Sequence, residues 1–279
     1  MVVRFSHYIF LLLILSAMGI WIAVLQFPDK NLHLVTCDVG QGDASLAIYG
    51  NIQILTDGGP DNKVLDCLGR HVPFWDREIE LVVLTHPEKD HYGGLIEVFR
   101  RYKIDNFLYN KIDIGSQGYK VLEKEMGSRA VNPITPDTGK VVKVGLMSLD
   151  ILHPSRDLES KQTNDYSIVY KLSYGNFEAL FAGDIEQRIS DRLAGERQIG
   201  QVEYIKIPHH GSKNGVTDNL LKVLMPKIAV ISAGKNNSYG HPHKEILEML
   251  GKYGVKIFRT DEAGDIEIIT DGEKYWVKK

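Results

Sequence analysis

Residues 79–94, with the sequence IELVVLTHPEKDHYGG, carry the most informative pattern in the chain. An apolar run of strand type ends there, and four side chains that can bind metal follow within six positions: His86, Glu88, Asp90 and His91. A pair of glycines then permits a close turn before a stretch with apolar residues at helical spacing. His86 and Glu88 can bind one ion. Asp90 and His91, on the following turn, can bind a second, so the loop predicts a metal centre.

Three other apolar runs also end in side chains that can bind metal or anions. IQIL leads to Asp57 within TDGG, FEALFA leads to Asp184, and YIKIP leads to His209, His210 and Ser212. Taken singly, an acid beside glycine after a strand is often a turn residue or a helix cap, and a polar loop with histidines is often only exposed. Four such ends in one chain favour convergence at one edge of a sheet, where metal and substrate sites commonly lie.

The pattern outside these loops predicts the layers of the fold. LHLVTCDVG, ASLAIYG and IQILTDGG are strand-like runs with tight turns between them, and a second β-rich stretch covers residues 148–184. Helices are predicted at residues 62–69 and 185–194, among others. Two β-rich halves that each carry helices predict two sheets packed face to face with the helices outside.

Composition limits the classes of protein that the chain can belong to. Its 279 residues are 43% hydrophobic and 25% charged, which is ordinary globular usage. With 33 basic and 36 acidic residues the net charge is −3, which excludes a strongly basic nucleic-acid coat or an acidic tail. Cys37 and Cys67 are too few for a disulfide scaffold or a thiolate zinc site. Their apolar surroundings predict two buried thiols, with a single disulfide as the alternative if the domain is secreted.

The first thirty residues differ from the rest. Residues 8–25, YIFLLLILSAMGIWIAVL, are uncharged, and as a helix they would be about 27 Å long, close to the thickness of a bilayer core. They predict a transmembrane helix, with residues 1–30 as anchor and linker and 31–279 as the folded domain. Arg4 before the helix favours a cytoplasmic N-terminus, hence a single-pass protein of the cell membrane with an extracytoplasmic domain. The alternative is a cleaved leader and a secreted domain.

The ordered series of motifs resembles a known family. His-x-Glu-x-Asp-His-x-Gly-Gly, with an upstream Asp-Gly-Gly and a downstream Gly-Asp, is similar to the pattern of the metallo-β-lactamase superfamily. The runs CDVGQGDASLAI, NDYSIVYKLSYG, LFAGDI, PHHGSKN and SYGHPH are similar to the β-lactamase-like domains of ComEC-type DNA-uptake proteins, from about residue 31 to the C-terminus. The resemblance implies a four-layer αββα sandwich with two divalent metal ions at the edge of the two sheets.

The same resemblance implies roles for individual residues. It gives six metal ligands: His86, Glu88, Asp90, His91, Asp184 and His241. Glu88 stands where most members have histidine, and Asp184 matches the bridging carboxylate. The last ligand stays open between His210 and His241. By analogy with related nucleases, His241 would bind metal and His210 would contact the scissile phosphate, and exchange of these two roles is the alternative.

Further residues are expected to act on the substrate or to support the ligands. The predicted catalytic residues are Asp90, Asp184 and His210, of which either carboxylate could orient the attacking water. The residues predicted to support the site or touch the substrate are Asp57, Asn164, Asp165, His209 and Ser212. The family's third histidine has no clear counterpart, since His153 is the only histidine in that interval and is read as structural.

Glu88 in place of a histidine, and Asn164 or Asp165 in place of the family's third histidine, would make the first metal position rich in oxygen. Such a position favours Mn²⁺, with Zn²⁺ as the other candidate. The predicted function is a membrane-anchored, metal-dependent phosphodiesterase or nuclease with two metal ions and DNA as substrate. A second reading keeps the metals and changes the substrate to small esters, lactones, β-lactams, thioesters or phosphate esters, because this fold hosts all of these activities. A third reading is a catalytically degenerate domain that binds nucleic acid or a protein partner. The sequence carries no signal for the oligomeric state.

Overall fold

The computed structural model of the chain describes residues 2–25, 28–112, 114–196 and 199–278. The strands in these ranges are β1 (Leu32–Thr36), β2 (Ser45–Tyr49), β3 (Ile52–Thr56), β4 (Glu78–Leu84), β5 (Lys103–Tyr109), β6 (Asn132–Ile134), β7 (Val141–Val144), β8 (Met147–His153), β9 (Val169–Tyr174), β10 (Phe177–Phe181), β11 (Tyr204–Lys206), β12 (Ile228–Ile231), β13 (Lys256–Arg259), β14 (Ile266–Thr270) and β15 (Tyr275–Lys278).

The strands form two mixed sheets. The first has eight strands in the order β15-β14-β1-β2-β3-β4-β5-β6, and the second has seven in the order β13-β12-β11-β10-β9-β8-β7. Neighbours from β3 to β6 are parallel in the first sheet, and neighbours from β10 to β13 are parallel in the second. Because parallel strands end at the same edge, each sheet gathers the loops that follow these strands on one side.

The helices in the described ranges are α1 (Val2–Leu25), α2 (Lys63–His71), α3 (Lys89–Tyr92), α4 (Leu95–Arg101), α5 (Gln117–Gly127), α6 (Gln187–Gly195), α7 (Asp218–Leu224), α8 (Lys244–Lys252) and α9 (Thr260–Ala263). Six of them, α2, α4, α5, α6, α7 and α8, cover the outer faces of the sheets, whereas the described side chains of α1 are exposed. Two 3₁₀ turns, Thr163–Tyr166 and Pro208–Gly211, lie beside the strand ends of the second sheet.

Three apolar cores separate four layers. The central core lies between the sheets and joins residues such as Leu81 of β4 to Tyr170 of β9. A second core packs the outer face of the first sheet against α2, α4 and α5, and a third packs the outer face of the second sheet against α6, α7 and α8. The predicted arrangement of two face-to-face sheets with helices outside is therefore confirmed.

The inner strands of each sheet are buried on both faces. In β3, Ile54 faces the central core and Leu55 faces the helices; in β4, Leu81 and Val82 alternate in the same way. This alternation explains the nearly continuous apolar runs in the sequence, as expected for parallel strands covered on both sides.

The N-terminal prediction requires a correction. A helix does form over the predicted segment, as α1, but no helix in the described part of the chain combines the length and the apolarity that crossing a bilayer requires. The predicted transmembrane anchor is thus not supported by the structure. Of the predicted linker, residues 26 and 27 lie outside the described ranges.

The cysteine prediction is also corrected. Cys37 and Cys67 do not remain as two buried thiols: they form a disulfide, with their Cα atoms 5.8 Å apart. The bond joins the loop after β1 to α2, and both residues are fully buried in the core beneath these elements. It therefore ties the loop at residues 38–44 to the first sheet's helical layer.

Removal of this disulfide is expected to destabilise the fold by about 3 kcal/mol, because the bond closes a loop between residues separated by 30 positions and restricts the unfolded chain. Urea unfolding of the oxidised wild type and of the Cys37→Ala/Cys67→Ala variant measures the difference. Reductant should lower the wild-type midpoint toward that of the variant and should leave the variant unchanged. Equal midpoints for all samples would contradict the expectation.

Candidate metal centre

The ends of four strands meet at one edge of the two sheets. Asp57 follows β3, His86 follows β4, Asp184 follows β10, and the 3₁₀ turn with His210 follows β11. His91 comes from α3, whose backbone packs against the Asp57 loop through the Gly58 N–H···O=C hydrogen bond to His91. The five side chains arrive from separate parts of the sequence because parallel pairing aligns the strand ends.

Within the described ranges, three sets of side chains at this edge have ligand atoms that all lie within 4.8 Å of one another. They are His86 with His91 and Asp184, Asp90 with His91 and His210, and Asp43 with Asp57 and His91. His91 belongs to all three sets and marks the centre of the cluster. Another such set, Cys67 with His71 and Asp265, includes a sulfur that is already committed to the disulfide.

Several buried donor atoms in the cluster lack a hydrogen-bond partner among the described residues. These atoms are Nε2 of His86, Nε2 of His91 and Oδ1 of Asp184. Burying an unpaired polar atom costs roughly 1–3 kcal/mol, so native structures rarely leave several of them together. Two imidazole nitrogens and a carboxylate oxygen that converge in this way fit the coordination of a divalent cation, and they would be its direct ligands.

A hydrogen-bond chain fixes the orientation of His91. Its Nδ1–H donates to Asp57 Oδ2 at 2.8 Å. Asp57 is itself held by Thr85, whose backbone N–H and hydroxyl donate to its two oxygens, each at 2.8 Å. This arrangement directs the His91 Nε2 atom at Asp184, whose Oδ2 lies 3.4 Å away. A carboxylate behind a ligating histidine sets its tautomer and raises its basicity in metal sites.

His210 reaches the cluster from the second sheet. Its Nδ1–H donates to the Ser232 carbonyl at 3.1 Å, and its Nε2 lies 3.3 Å from Asp90 Oδ2 and 3.5 Å from Asp184 Oδ2. His91 Nε2 lies 4.0 Å from the same Asp90 oxygen. Asp90 therefore lies between the imidazoles of His91 and His210, and these three side chains would surround a second cation.

The pKa values in the cluster reflect acids and imidazoles that are buried side by side. Burial would raise the pKa of Asp184, but His91 and His210 outweigh burial and hold that pKa well below its usual range. Burial would lower the pKa of His91, but Asp184 and Asp57 raise it well above its ordinary value. Burial and the neighbouring His91 lower the pKa of His86 to about 3, so this imidazole is neutral near pH 7 and keeps a free lone pair.

The backbone is strained at this edge. Asp57, His209 and His210 have φ angles of 60°, 53° and 54°, in the left-handed region that non-glycine residues avoid. Such conformations cost about 1–3 kcal/mol each and concentrate at functional sites. The approach of α4 to the Asp57 loop is equally demanding, since a Cβ at Gly94 would lie 2.1 Å from the Gly58 carbonyl oxygen. The glycine pair of the motif therefore serves close packing.

An open cavity of about 370 Å³ lies over the cluster. Its lining residues are Gln41, Pro60, Glu88, Lys89, Asp90, Asp184, His209, His210, Tyr239 and His241. Glu88 occupies the N-cap position of α3 without a capping side-chain hydrogen bond, and burial and Asp90 raise the pKa of its carboxyl group. Among the described residues Glu88 belongs to none of the tight ligand sets, so it lies farther out than Asp90 and His91. His209 shares the cavity wall, and its buried Nδ1 has no hydrogen-bond partner in the described structure.

His210 and His241 occupy different positions. Only His210 belongs to a tight ligand set of the described chain. The ring of His241 is 6.2 Å from that of His210 and packs among His209, Tyr239 and His243. The geometry therefore brings His210 into the cluster and leaves His241 on the cavity wall, which is the reverse of the arrangement expected from the nuclease analogy.

The remaining residues of the sequence prediction are Asn164, Asp165, Ser212 and His153, and none of them lines the cavity. Asn164 has a buried side-chain oxygen with no hydrogen-bond partner in the described structure. Asp165 accepts from Ser160 and Arg188 at 2.5 and 2.7 Å, so its carboxylate is engaged outside the cluster. Ser212 is buried and does not line the cavity. His153 contacts the Asp165 carbonyl and Arg192, both at 2.6 Å, which fits the structural role expected for it.

Two residues behind the cluster are missing from the sequence prediction. Lys206 Nζ donates to both oxygens of Asp43, at 2.7 and 2.8 Å, with both side chains almost fully buried. Asp43 Oδ1 also lies 3.3 Å from His210 Nδ1, so this ion pair supports the histidine from behind. The sequence did carry a signal for both residues, because Lys206 is the charged residue within the apolar run YIKIP and Asp43 follows a glycine, as Asp184 does.

The fold and the cluster define a class of protein. The chain belongs to the metallo-β-lactamase superfamily, which its sequence matches over residues 38–235. Proteins of this superfamily bind divalent metals, often two, and the unpartnered donors described above fit that property. The solved structure of YhfI from Bacillus subtilis, a metallo-β-lactamase fold protein, matches 85% of this chain and 99% of its own with a TM-score of 0.59. At 12% identity this likeness concerns the fold alone.

Curated relatives narrow the class. The chain is 29% identical over 195 residues to ComE operon protein 3 of Bacillus subtilis (strain 168), which is 68% of this chain and 24% of that protein. It is 25% identical over 247 residues to Recombination protein 2 of Haemophilus influenzae, which is 87% of this chain and 29% of that protein. The chain thus spans about a quarter of the length of these relatives. The resemblance to ComEC-type domains that the motifs predicted is confirmed.

Proposed function

We propose that this member of a metal-dependent hydrolase family is a phosphodiesterase that cleaves DNA with the help of two divalent cations. The observation that carries the proposal is the convergence, beneath an open cavity, of three buried donor atoms on His86, His91 and Asp184 that have no hydrogen-bond partner in the described ranges. Similarity to a recombination protein and to ComEC-type domains supports a nucleic-acid substrate. The intact donor set speaks against a degenerate binding domain.

The proposed ligands divide between the two sheets. His86, His91 and Asp184 would hold one ion, with Glu88 or the Asn164 side-chain oxygen as an additional ligand. Asp90, His210 and Asp184 would hold the second. When bound, the pair supplies Lewis-acid polarisation of the phosphate and lowers the pKa of the attacking water. Asp184, whose Oδ2 faces both His91 and His210, would be a ligand of both ions.

The protein's own residues prepare the reaction. Asp57 and Thr85 hold His91 in one tautomer, and the Ser232 carbonyl does the same for His210. Asp90, on the cavity wall, is placed to orient a water molecule. In the hydrolysis the water oxygen forms a new P–O bond and its proton passes to solvent, the P–O bond to the sugar oxygen breaks, and that oxygen takes a proton from solvent in the open cavity.

Manganese is the proposed metal. Carboxylates from Asp90 and Asp184, with Glu88 at the rim, give the site more oxygen donors than a closed zinc site has. Oxygen-rich sites favour Mn²⁺ or Mg²⁺, and nitrogen- and sulfur-rich sites favour Zn²⁺.

The test is hydrolysis of labelled single- and double-stranded DNA by the full chain, stripped of metal and supplied with Mn²⁺, Mg²⁺ or Zn²⁺. We expect cleavage that is strongest with Mn²⁺ and lost in Asp90→Ala. Asp191→Ala, which removes an exposed carboxylate on α6, is the matched control and should cleave as the wild type does. Absence of cleavage under every metal would overturn the phosphodiesterase, and activity with Zn²⁺ alone would overturn the metal preference.

A further inference from the structure

An exposed tyrosine stands beside the metal centre. Tyr239 is 66% exposed, which is unusual for a large aromatic side chain with no core to fill. It lines the same cavity as Asp90 and Asp184, on the wall that the loop after β12 provides. The proposed chemistry does not use it.

One face of this ring is already covered. The ring of Tyr239 stacks on the imidazole of His241, with centroids 5.6 Å apart and planes inclined by 22°. His241 packs in turn against His209 and His243, at 5.8 and 5.0 Å. The stack holds the tyrosine ring over the cavity, and its large exposed area leaves the opposite face open to a planar ligand.

The loop that carries Tyr239 is ordered before any ligand arrives. The Asn237 side-chain oxygen accepts the backbone N–H groups of Tyr239 and His241, at 3.1 and 3.0 Å. Its amide nitrogen donates to the carbonyls of Gly234 and His241, at 2.9 and 2.6 Å. Gly234 N–H donates to the Gln41 side chain at 3.0 Å, which ties the loop to the opposite wall. A preformed platform loses little conformational entropy on binding.

Because several carboxylates line the cavity, a contact that needs no charge on the protein would favour the binding of a polyanionic substrate. Besides the imidazoles of the cavity wall and the tyrosine itself, the ionisable lining consists of the carboxylates of Glu88, Asp90 and Asp184 and one exposed cation, Lys89. Among these described residues, lysine contacts for a polyanion are therefore few, and the proposed metal ions would supply most of the positive charge. Stacking on an aromatic ring binds a nucleobase without any charge on the protein.

We propose that Tyr239 is a stacking platform for the base next to the scissile phosphodiester, so that the substrate is single-stranded DNA. This inference rests on the proposed function. A base in a duplex has both faces covered by its neighbours, whereas an unpaired nucleotide offers a free face. Every base has such a face, so the platform accepts any sequence. Lys89, on the same cavity wall as Asp90, is placed to contact a neighbouring phosphate.

The experiment measures the coupling between the ring and the base. The full chain with Mn²⁺ is given a single-stranded oligonucleotide and the same oligonucleotide with abasic residues, and kcat/KM is measured for the wild type, Tyr239→Ala and Tyr239→Phe. We expect the wild type to prefer the substrate with bases by about tenfold, Tyr239→Phe to keep that preference and Tyr239→Ala to lose most of it. The wild type should also cleave the single strand at least several-fold faster than the paired duplex.

The possible outcomes distinguish a failure of the stacking proposal from a failure of the proposed phosphodiesterase function. If the wild type cleaves both oligonucleotides and Tyr239→Ala slows both equally, the ring has only a structural role and the platform is wrong. Equal rates on single strand and duplex also overturn it. If the wild type cleaves neither oligonucleotide, the phosphodiesterase itself fails and the platform falls with it.

Discussion

Replacement of Asp184 by Asn is expected to lower kcat/KM for phosphodiester cleavage on the order of 10³-fold. Asp184 has one oxygen without a partner among the described residues and a second within 3.5 Å of His91 and His210. An amide of the same shape keeps the packing but removes the negative charge that would bind the two cations. Steady-state kinetics on a labelled oligonucleotide with Mn²⁺ measures the change.

The matched control for this variant is Asp191→Asn, the same substitution at an exposed position on α6. Circular dichroism and thermal unfolding of both variants establish that the fold is intact. Activity in Asp184→Asn within about fivefold of the wild type would mean that the carboxylate is not a ligand, and the proposed site would have to be abandoned.

Replacement of Lys206 by Met is expected to destabilise the protein by about 3–5 kcal/mol. The substitution leaves Asp43 buried without its cation, in contact with His210. Burial would raise the pKa of Asp43, and Lys206 together with His210 holds it well below its usual range, so the carboxylate is charged in the folded state. Urea unfolding at neutral pH measures the loss of stability.

The second variant tests the cause of that loss. Adding Asp43→Asn to Lys206→Met removes the stranded charge and should recover much of the stability, so the two substitutions should not be additive. Lys222→Met, in the exposed pair with Asp218, is the matched control and should shift the urea midpoint far less. A Lys206→Met variant as stable as the wild type would show that the pair contributes nothing to folding.

The layers of the fold follow from local patterns. The helix predicted at residues 62–69 corresponds to α2 (Lys63–His71), and that predicted at 185–194 to α6 (Gln187–Gly195), because apolar spacing marks the face that packs on a sheet. The order of strands could not be read in this way. β1 pairs with β14, with His33 opposite Ile269, and no local signal relates positions so far apart. The disulfide was equally hidden, since spacing in sequence says nothing about the distance between Cys37 and Cys67 in space.

The centre of the site was more predictable than its surroundings. His86, Asp90, His91 and Asp184 attracted notice because acids and imidazoles at the ends of apolar runs have few structural uses. The surroundings depend on contacts between distant segments. That Lys206 points between the sheets toward the loop after β1, and that Tyr239 stacks over the cavity, follows only from the pairing of elements.

Metal binding by the full chain tests the account most directly. Metal-free protein is dialysed against Mn²⁺ and, separately, Zn²⁺, and the bound metal per chain is measured by elemental analysis for the wild type and Asp184→Asn. The predicted result is two ions per wild-type chain and clearly fewer in the variant. A wild-type chain that retains neither metal above the level of a protein without a metal site would contradict the claim that these acids and imidazoles hold a pair of cations.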